Sequence, residues 1–388
     1  MPDSFTKHTS QGYLSRLGSS IKNVIFGFII VLIAFPFLFW NEGRAVKTYE
    51  SLKEGSNNVI SVESDHINPD NEGKLIHVSG LADTKEVLQD PEFPISATAI
   101  KLNRDVQMYQ WKETEHSTTN KKLGGGTETE TTYTYNKAWS DELIDSNQFE
   151  HPEGHENPSA LIYENKKLIA KNVNLGAFQL SSNLINKITK SQPLELQNFD
   201  SSKLEESIRL RTKVQGNSLY IKKNNNNVET PQIGDLKINF TIVKPQKISI
   251  VSTQNQNTFK AYKAKNGRSV ELLQSGEVKA ADMFQKAIEN NTMMTWILRF
   301  IGFLMIFIGI GLILKPLSVL ADIVPFIGNI INFGNNIVAG ILALAGSLVT
   351  IGIAWLFYRP LLAISLLIIF AGLIAFLIIK LKKPQNIN

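Results

Sequence analysis

Cysteine is absent from this 388-residue chain. Its absence excludes disulfides, thiolate nucleophiles, cysteine-bearing zinc sites and cysteine-held iron–sulfur clusters. The compartment stays open, because an oxidising lumen permits disulfides without requiring them. Charge is also sparse, at 19% of residues, where a soluble domain carries about a quarter. The net charge is +5, with the lysines spread along the chain. No clustered basic footprint points to nucleic acid, and no nucleic-acid partner is expected.

Catalytic signatures are missing too. The triple glycine at 124–126 is followed by no GK[ST], no GxSxG occurs, and no HExxH orders a histidine pair on a helix. Scattered carboxylates could form an acid–base pair in any fold, but nothing in their spacing selects one. No catalytic residue, cofactor or metal is assigned. An enzyme in the middle of the chain would need a convergent acid–histidine cluster.

What the chain has is apolar sequence at its two ends, with a polar middle. Residues 24–40, "VIFGFIIVLIAFPFLFW", carry no charge. At about 1.5 Å per residue, with flanks, they reach across a bilayer core of about 30 Å. Trp40 suits the headgroup level. Bulky Phe39 and charged Glu42 stand where a signal peptide would offer small residues for cleavage, so the run reads as an uncleaved anchor. Three further runs close the chain at 296–314, 337–358 and 361–379. Arg299 lies within a turn of the start of the first of these and reads as an interface anchor that snorkels. Arg359 and Pro360 alone separate the last two, which predicts an antiparallel helical hairpin. Residues 315–336, apolar but broken by Pro316, Pro325, Gly328 and Gly334, read as an interfacial connector, with a re-entrant element as the alternative.

Four spans put the tails 1–23 and 380–388 on one face and the insert 41–293 on the other. The lysines of the C-terminal tail place the tails in the cytoplasm and the insert in a lumen or periplasm. The fold class that follows is an α+β membrane protein: four transmembrane helices, with a large β-rich extramembrane domain between the first and second. Within the insert, residues 42–55 read as a short helix leaving the membrane, and "SGEVKAADMFQKAIENNTMMTW" as a helix entering the second span. Residues 105–139 read as a long hairpin turning at 121–126. Val106, Met108 and Gln110 alternate with Gln107, Tyr109 and Trp111, while Thr132 and Thr134 oppose Tyr133 and Tyr135. Short helices are expected at "SNLINKIT" and "KLEESIRL", and a turn at the asparagines 224–227.

Two short stretches stand out as candidate sites. His151 and His155 have the spacing of a zinc pair on a helix, but Pro152 and Gly154 make a loop the plainer reading, with Asn157-Pro158 setting a turn. Asn41-Glu42-Gly43-Arg44 begins the insert. Glu42 and Arg44 either pair locally or dock the insert onto the bilayer or onto the 270–293 helix. In the third span, Gly340, Ala343 and Gly346 form a small-residue stripe that could seat the fourth helix or a second copy.

The ordered set "NEGRAVKT", "PDNEGKLIHVSG", "VQMYQWKETE", "TYTYNKAW", "GHENPSA", "IGDLKI" and "WLFYRP" resembles the transmembrane protein 43 family, also called LUMA, over nearly the whole chain. The resemblance marks Asn41–Arg44, Gly154, His155, Asn157, Pro158, Arg359 and Pro360 as candidate structural or interaction residues. It implies four spans with a lumenal domain, no enzymatic activity and no cofactor. Expected partners are the lipid bilayer and membrane or membrane-associated proteins, lamins and emerin among them for eukaryotic members, together with homo-oligomerisation. The implied location is the endoplasmic reticulum and inner nuclear membrane in a eukaryote. The Asn-, Lys- and Ile-rich composition suggests a bacterium, where it would be the inner membrane. A scaffold organising membrane complexes is the leading expectation. A module responding to lipid or membrane state, suggested by residues 315–336, is the alternative, and an enzyme in the insert is a further one.

Overall fold

The computed structural model describes residues 3–197, 199–224 and 230–381. The asparagines 225–227 and the lysines 382 and 383, read above as a turn and a basic tail, lie outside the described residues. The chain divides into two compact units, one of residues 1–8, 54–118 and 130–285, the other of residues 9–53, 119–129 and 286–388.

The first unit is α+β. Its principal strands are β1 (Asp3–Gln11), β2 (Leu75–Asp83), β3 (Lys101–Lys121), β4 (Thr127–Ser140), β5 (Thr212–Gln215), β6 (Ser218–Ile221), β7 (Leu236–Val243) and β8 (Gln246–Asn255). β1 and the β3–β4 hairpin carry their far ends into the second unit. One sheet runs in the order β1-β4-β3-β7-β6-β5, and the second is centred on β2 and β8. The predicted hairpin is present, and its alternation holds. Val106, Met108 and Gln110 are buried while Gln107, Tyr109 and Trp111 are only partly so, because a strand sends successive side chains to opposite faces. That inner face packs with Leu219, Ile238 and Phe240 into one core. Ile76 and Val78 of β2 and Ile248 and Ile250 of β8 form another, closed by Leu184 and Ile185 of the short helix Ser182–Lys187. The second predicted short helix is a single turn, Glu206–Arg209.

The α+β unit also buries charge. Arg104 Nη1 lies 2.7 Å from Asp90 Oδ1, with both side chains almost fully buried. The Lys101 ammonium donates to the carbonyls of Asn186 and Ile188 at 3.0 and 2.6 Å, and burial pushes its pKa below the usual lysine value.

The second unit is built on four long helices: α1 (Tyr13–Asn58), α2 (Ala280–Ala321), α3 (Pro325–Tyr358) and α4 (Pro360–Leu381). α1, α2 and α3 are each long and apolar enough to cross a membrane, whereas the apolar stretch of α4 is shorter. Three expectations are revised here. The helix foreseen at 42–55 does not start anew: α1 runs unbroken for 46 residues from Tyr13, through Gly43. Residues 315–336, expected to be broken, are helical on both sides of a short turn. α2 continues to Ala321, three residues turn, and Pro325 opens α3 at a first-turn position, where its missing N–H is no loss. Residues 3–11, foreseen as part of a tail, form β1 on the edge of β4.

Asp322 in the α2–α3 turn is buried, yet it is doubly compensated. Arg16 Nη2 stands 2.5 Å from one carboxylate oxygen and Lys121 Nζ 2.6 Å from the other.

Candidate functional site

The seam between α1 and α2 carries the most specific chemistry in the helical unit. Along α2, Asn291, Thr295, Arg299, Gly302, Ile306 and Gly309 recur at steps of three and four, which places them on one helical face. Their antiparallel counterparts on α1 are Ala45, Asn41, Glu42, Leu38, Ala34 and Gly27. Toward the middle of the apolar run the seam is small and apolar. A Cβ on Gly27 would sit 2.5 Å from the Gly309 carbonyl oxygen, and one on Gly309 2.6 Å from Val31. Ala34, Leu38, Ile306 and Ala343 form a buried cluster there.

Toward residue 41 the seam turns polar. Glu42 is 2% exposed. Its two oxygens accept from Arg299 Nε at 2.7 Å and Nη2 at 2.8 Å, a two-pronged pair, and Trp355 Nε1 of α3 donates to the second oxygen at 2.8 Å. The guanidinium lies over the Trp296 ring, 4.7 Å from its centroid, and 5.9 Å from that of Trp355. One turn further, Arg44 donates to Asn41 Oδ1, to Asn291 Oδ1 at 2.9 Å and to Thr295 Oγ1 at 2.9 Å. Asn41 Nδ2 donates to the Thr295 carbonyl, and Asn291 Nδ2 to that of Ala45. A buried carboxylate is tolerated because charged and neutral donors surround it; without them it would be expelled or protonated.

Asn41–Arg44 thus come together as a site, though not as a local Glu–Arg pair alone. The contact of Arg44 with Asn291 falls within the 270–293 stretch that the docking alternative named. Arg299, expected as an interface anchor, is paired with Glu42 on the neighbouring helix. A Cβ on Gly43 would meet the Tyr358 ring at 2.5 Å, so a larger residue there must displace that ring. Arg359 ends α3, its N–H bonded to the Trp355 carbonyl, and Pro360 opens α4. The stretches "NEGRAVKT" and "WLFYRP", more than 300 residues apart in sequence, therefore form one node. Sequence reasoning missed Asn291, Thr295 and Trp355. The four-residue repeat Asn291-Thr295-Arg299 was the signal available.

The described contacts of Gly340, Ala343 and Gly346 are with α1 and α2. Ala343 packs with Ala34, Leu38 and Ile306, and a Cβ on Gly346 would lie 3.4 Å from the Phe35 ring. The buried face of α3 is Ala339, Ala343, Ser347, Thr350 and Ala354, one helical turn apart at each step, so the small residues accommodate α1 and α2.

In the other unit the histidines lie in a loop, as the plainer reading had it. Gly154 has a φ of +82°, which a glycine adopts without strain. Asn157 Oδ1 accepts from the Trp111 N–H at 2.7 Å and its amide donates back to the Trp111 carbonyl, pinning the loop to β3. Pro158 packs close to Gly234, joining "GHENPSA" to "IGDLKI". His155 is buried. Its Nδ1 faces the His151 carbonyl at 3.0 Å and its Nε2 the Asp3 carboxylate at 3.1 Å, while its ring stacks on Tyr135 at 4.0 Å. The Tyr135 hydroxyl donates to Glu113, and burial together with that bond pushes its pKa well above the usual phenol value. Both imidazole nitrogens are thus occupied by protein acceptors. Among the described residues no group of three or more His, Asp or Glu is arranged to hold a metal.

An open groove lined by Ser64, Asp83, Thr84, Glu86 and Asn174 lies elsewhere on this unit. Its Glu86 accepts from the backbone of Lys171 and Asn172 at 2.9 and 2.6 Å, and these bonds hold its carboxyl below the ordinary glutamate value.

Comparison with known proteins agrees with the ordered stretches. The family model described as transmembrane protein 43 matches residues 108–360. Human transmembrane protein 43 is 34% identical, with 98% of this chain and 95% of the human protein covered. The rat protein is 33% identical over 92% of this chain and 89% of its own, and the fruit-fly homolog 30% identical over 89% and 91%. No solved structure matches. With both the family model and full-length relatives in agreement, this chain belongs to the transmembrane protein 43 family.

Proposed function

We propose that the chain is a non-enzymatic membrane scaffold. It would cross the bilayer four times, α4 included, and hold its α+β insert at one face of the membrane for other membrane proteins to assemble on. The observation that carries this reading is the node of Glu42, Arg299 and Trp355. It joins three helices at the point where α1 leaves its apolar run and α2 enters its own. α1 and α2 continue unbroken past that point and are cross-linked there by Arg44, Asn41, Asn291 and Thr295. Two helical connections stitched to each other suit assembly better than a flexible tether would. Endoplasmic reticulum and inner nuclear membrane, or a bacterial inner membrane, are the locations that fit the reading.

The test is extraction of the full chain in native lipid discs, followed by measurement of the composition of the particles. A scaffold is recovered with other membrane proteins in a fixed ratio, and Glu42→Gln changes that ratio while the chain remains in the membrane. Recovery of the chain alone, unchanged by the substitution, would sink the reading.

A further inference from the structure

β1 is a terminal strand, exposed along its whole length, and it occupies the edge of β4. A strand of this kind sends alternate side chains to one face, and Asp3, Phe5 and Lys7 of β1 meet the 149–155 loop. Asp3 faces His155 Nε2 at 3.1 Å, Phe5 stacks on the His151 ring at 5.6 Å, and Lys7 Nζ pairs with Glu150 at 2.5 Å. On the other face, the hydroxyls of Thr6 and Thr132 touch at 3.4 Å. The edge therefore reads an extended segment by three complementary features: an acid, an aromatic and a base at alternate positions.

This pairing and a bilayer crossing by α1 exclude one another. A single crossing between residues 24 and 40 puts the residues before it and the residues after it on opposite faces of the membrane. Residues 3–8 then cannot reach residues 130–155. The β4 edge is left with bare backbone donors and acceptors along a Thr- and Tyr-rich strand, a surface that native proteins cover.

We propose that in the membrane-inserted protein the β4 edge is a docking site for an extended segment of another protein on the same face as the insert. The segment adds as a strand and carries the acid-x-aromatic-x-base pattern that Asp3, Phe5 and Lys7 display in cis. Glu150 receives the base, the His151 ring the aromatic side chain and His155 the acid. The proposal rests on α1 crossing the bilayer.

Because the chain has no cysteine, Thr6→Cys/Thr132→Cys gives a clean report of β1 pairing. In native membranes this double variant should form no intrachain disulfide. If it forms one in good yield, α1 does not cross, and the spanning reading falls together with the proposal. With full-length protein in lipid discs, a labelled peptide of residues 2–12 should bind by fluorescence anisotropy, and a scrambled peptide should not. Glu150→Lys should weaken binding roughly fivefold, the scale of a surface ion pair, and a peptide carrying Lys7→Glu should restore it. Absence of binding to a disc-embedded chain that forms no disulfide overturns the docking site and leaves the spanning reading intact. So does binding indifferent to both charge changes. Efficient Thr132→Cys crosslinking between two copies would show that a second chain covers the edge, which overturns the stated occupant.

Discussion

Glu42 and Arg299, 257 residues apart, share a two-pronged ion pair beneath the Trp355 indole. The carboxylate is 2% and the guanidinium 16% exposed at the side chain. Breaking one side of such a pair leaves a buried charge without compensation, at about 3–5 kcal/mol, whereas removing both charges together is often nearly neutral. Arg299→Met should therefore lower the unfolding transition of the detergent-solubilised protein strongly. Glu42→Gln/Arg299→Met should recover most of the loss. Equal destabilisation by the single and double variants would show that the pair does not act as a unit.

The glycines of α1 and α3 separate seam from surface. A Cβ on Gly27 would press within 2.5 Å of a backbone oxygen, which cannot move without shifting a helix, while one on Gly352 would meet nothing within 4 Å. Gly27→Ala is expected to destabilise by about 1–3 kcal/mol through overpacking, and Gly352→Ala to leave stability unchanged or slightly raised. Ala343→Leu belongs with the first, since Ala343 is fully buried against α1 and α2. Thermal unfolding of the three variants in one detergent ranks them directly.

Acid should loosen the α+β unit through Glu86. Its folded pKa is depressed by the Lys171 and Asn172 N–H donors. Its contribution is therefore complete above the unfolded glutamate value, about 4.3, and is lost as pH falls toward the folded value. Glu86→Gln cannot titrate, so the stability of that variant should fall less steeply between about pH 5 and pH 3. Parallel slopes for variant and parent in pH-dependent denaturation would remove Glu86 from the acid response.

The hairpin was legible because β3 alternates strictly over Val106–Gln110, and one buried face is what alternation encodes. The apolar runs of α1, α2 and α3 were legible for the same kind of reason, as length and composition alone decide them. Partnership was not. Arg299 in isolation reads as an interface charge, and only the neighbouring helix reveals Glu42 as its partner. The stripe Gly340-Ala343-Gly346 announces a close approach, but small residues name no partner, and the approach is to α1 and α2. The helical character of residues 315–336 was not legible, because two prolines and two glycines suggested broken structure. Pro316 lies inside α2 and Pro325 begins α3, positions that helices tolerate at a kink or a first turn.

Reporter fusions after Asn388 and within 120–126 test the four-span arrangement and are expected to report opposite compartments. The expectation bears on Asp322. Residue 16 precedes the apolar run of α1 and residue 322 follows that of α2, so both lie on one side and the Arg16–Asp322 pair survives insertion of both helices. Residue 121 belongs to the insert between them, so the Lys121–Asp322 contact, at 2.6 Å, cannot form once α1 and α2 cross. In native membranes Lys121→Ala should accordingly leave the melting of the chain unchanged. Asp322→Ala, which strands Arg16, should lower it by about 1–3 kcal/mol. A shared compartment for the two fusions, together with a loss on Lys121→Ala as large as that on Asp322→Ala, would place the hairpin tip and the α2–α3 turn on one face and overturn the four-span count.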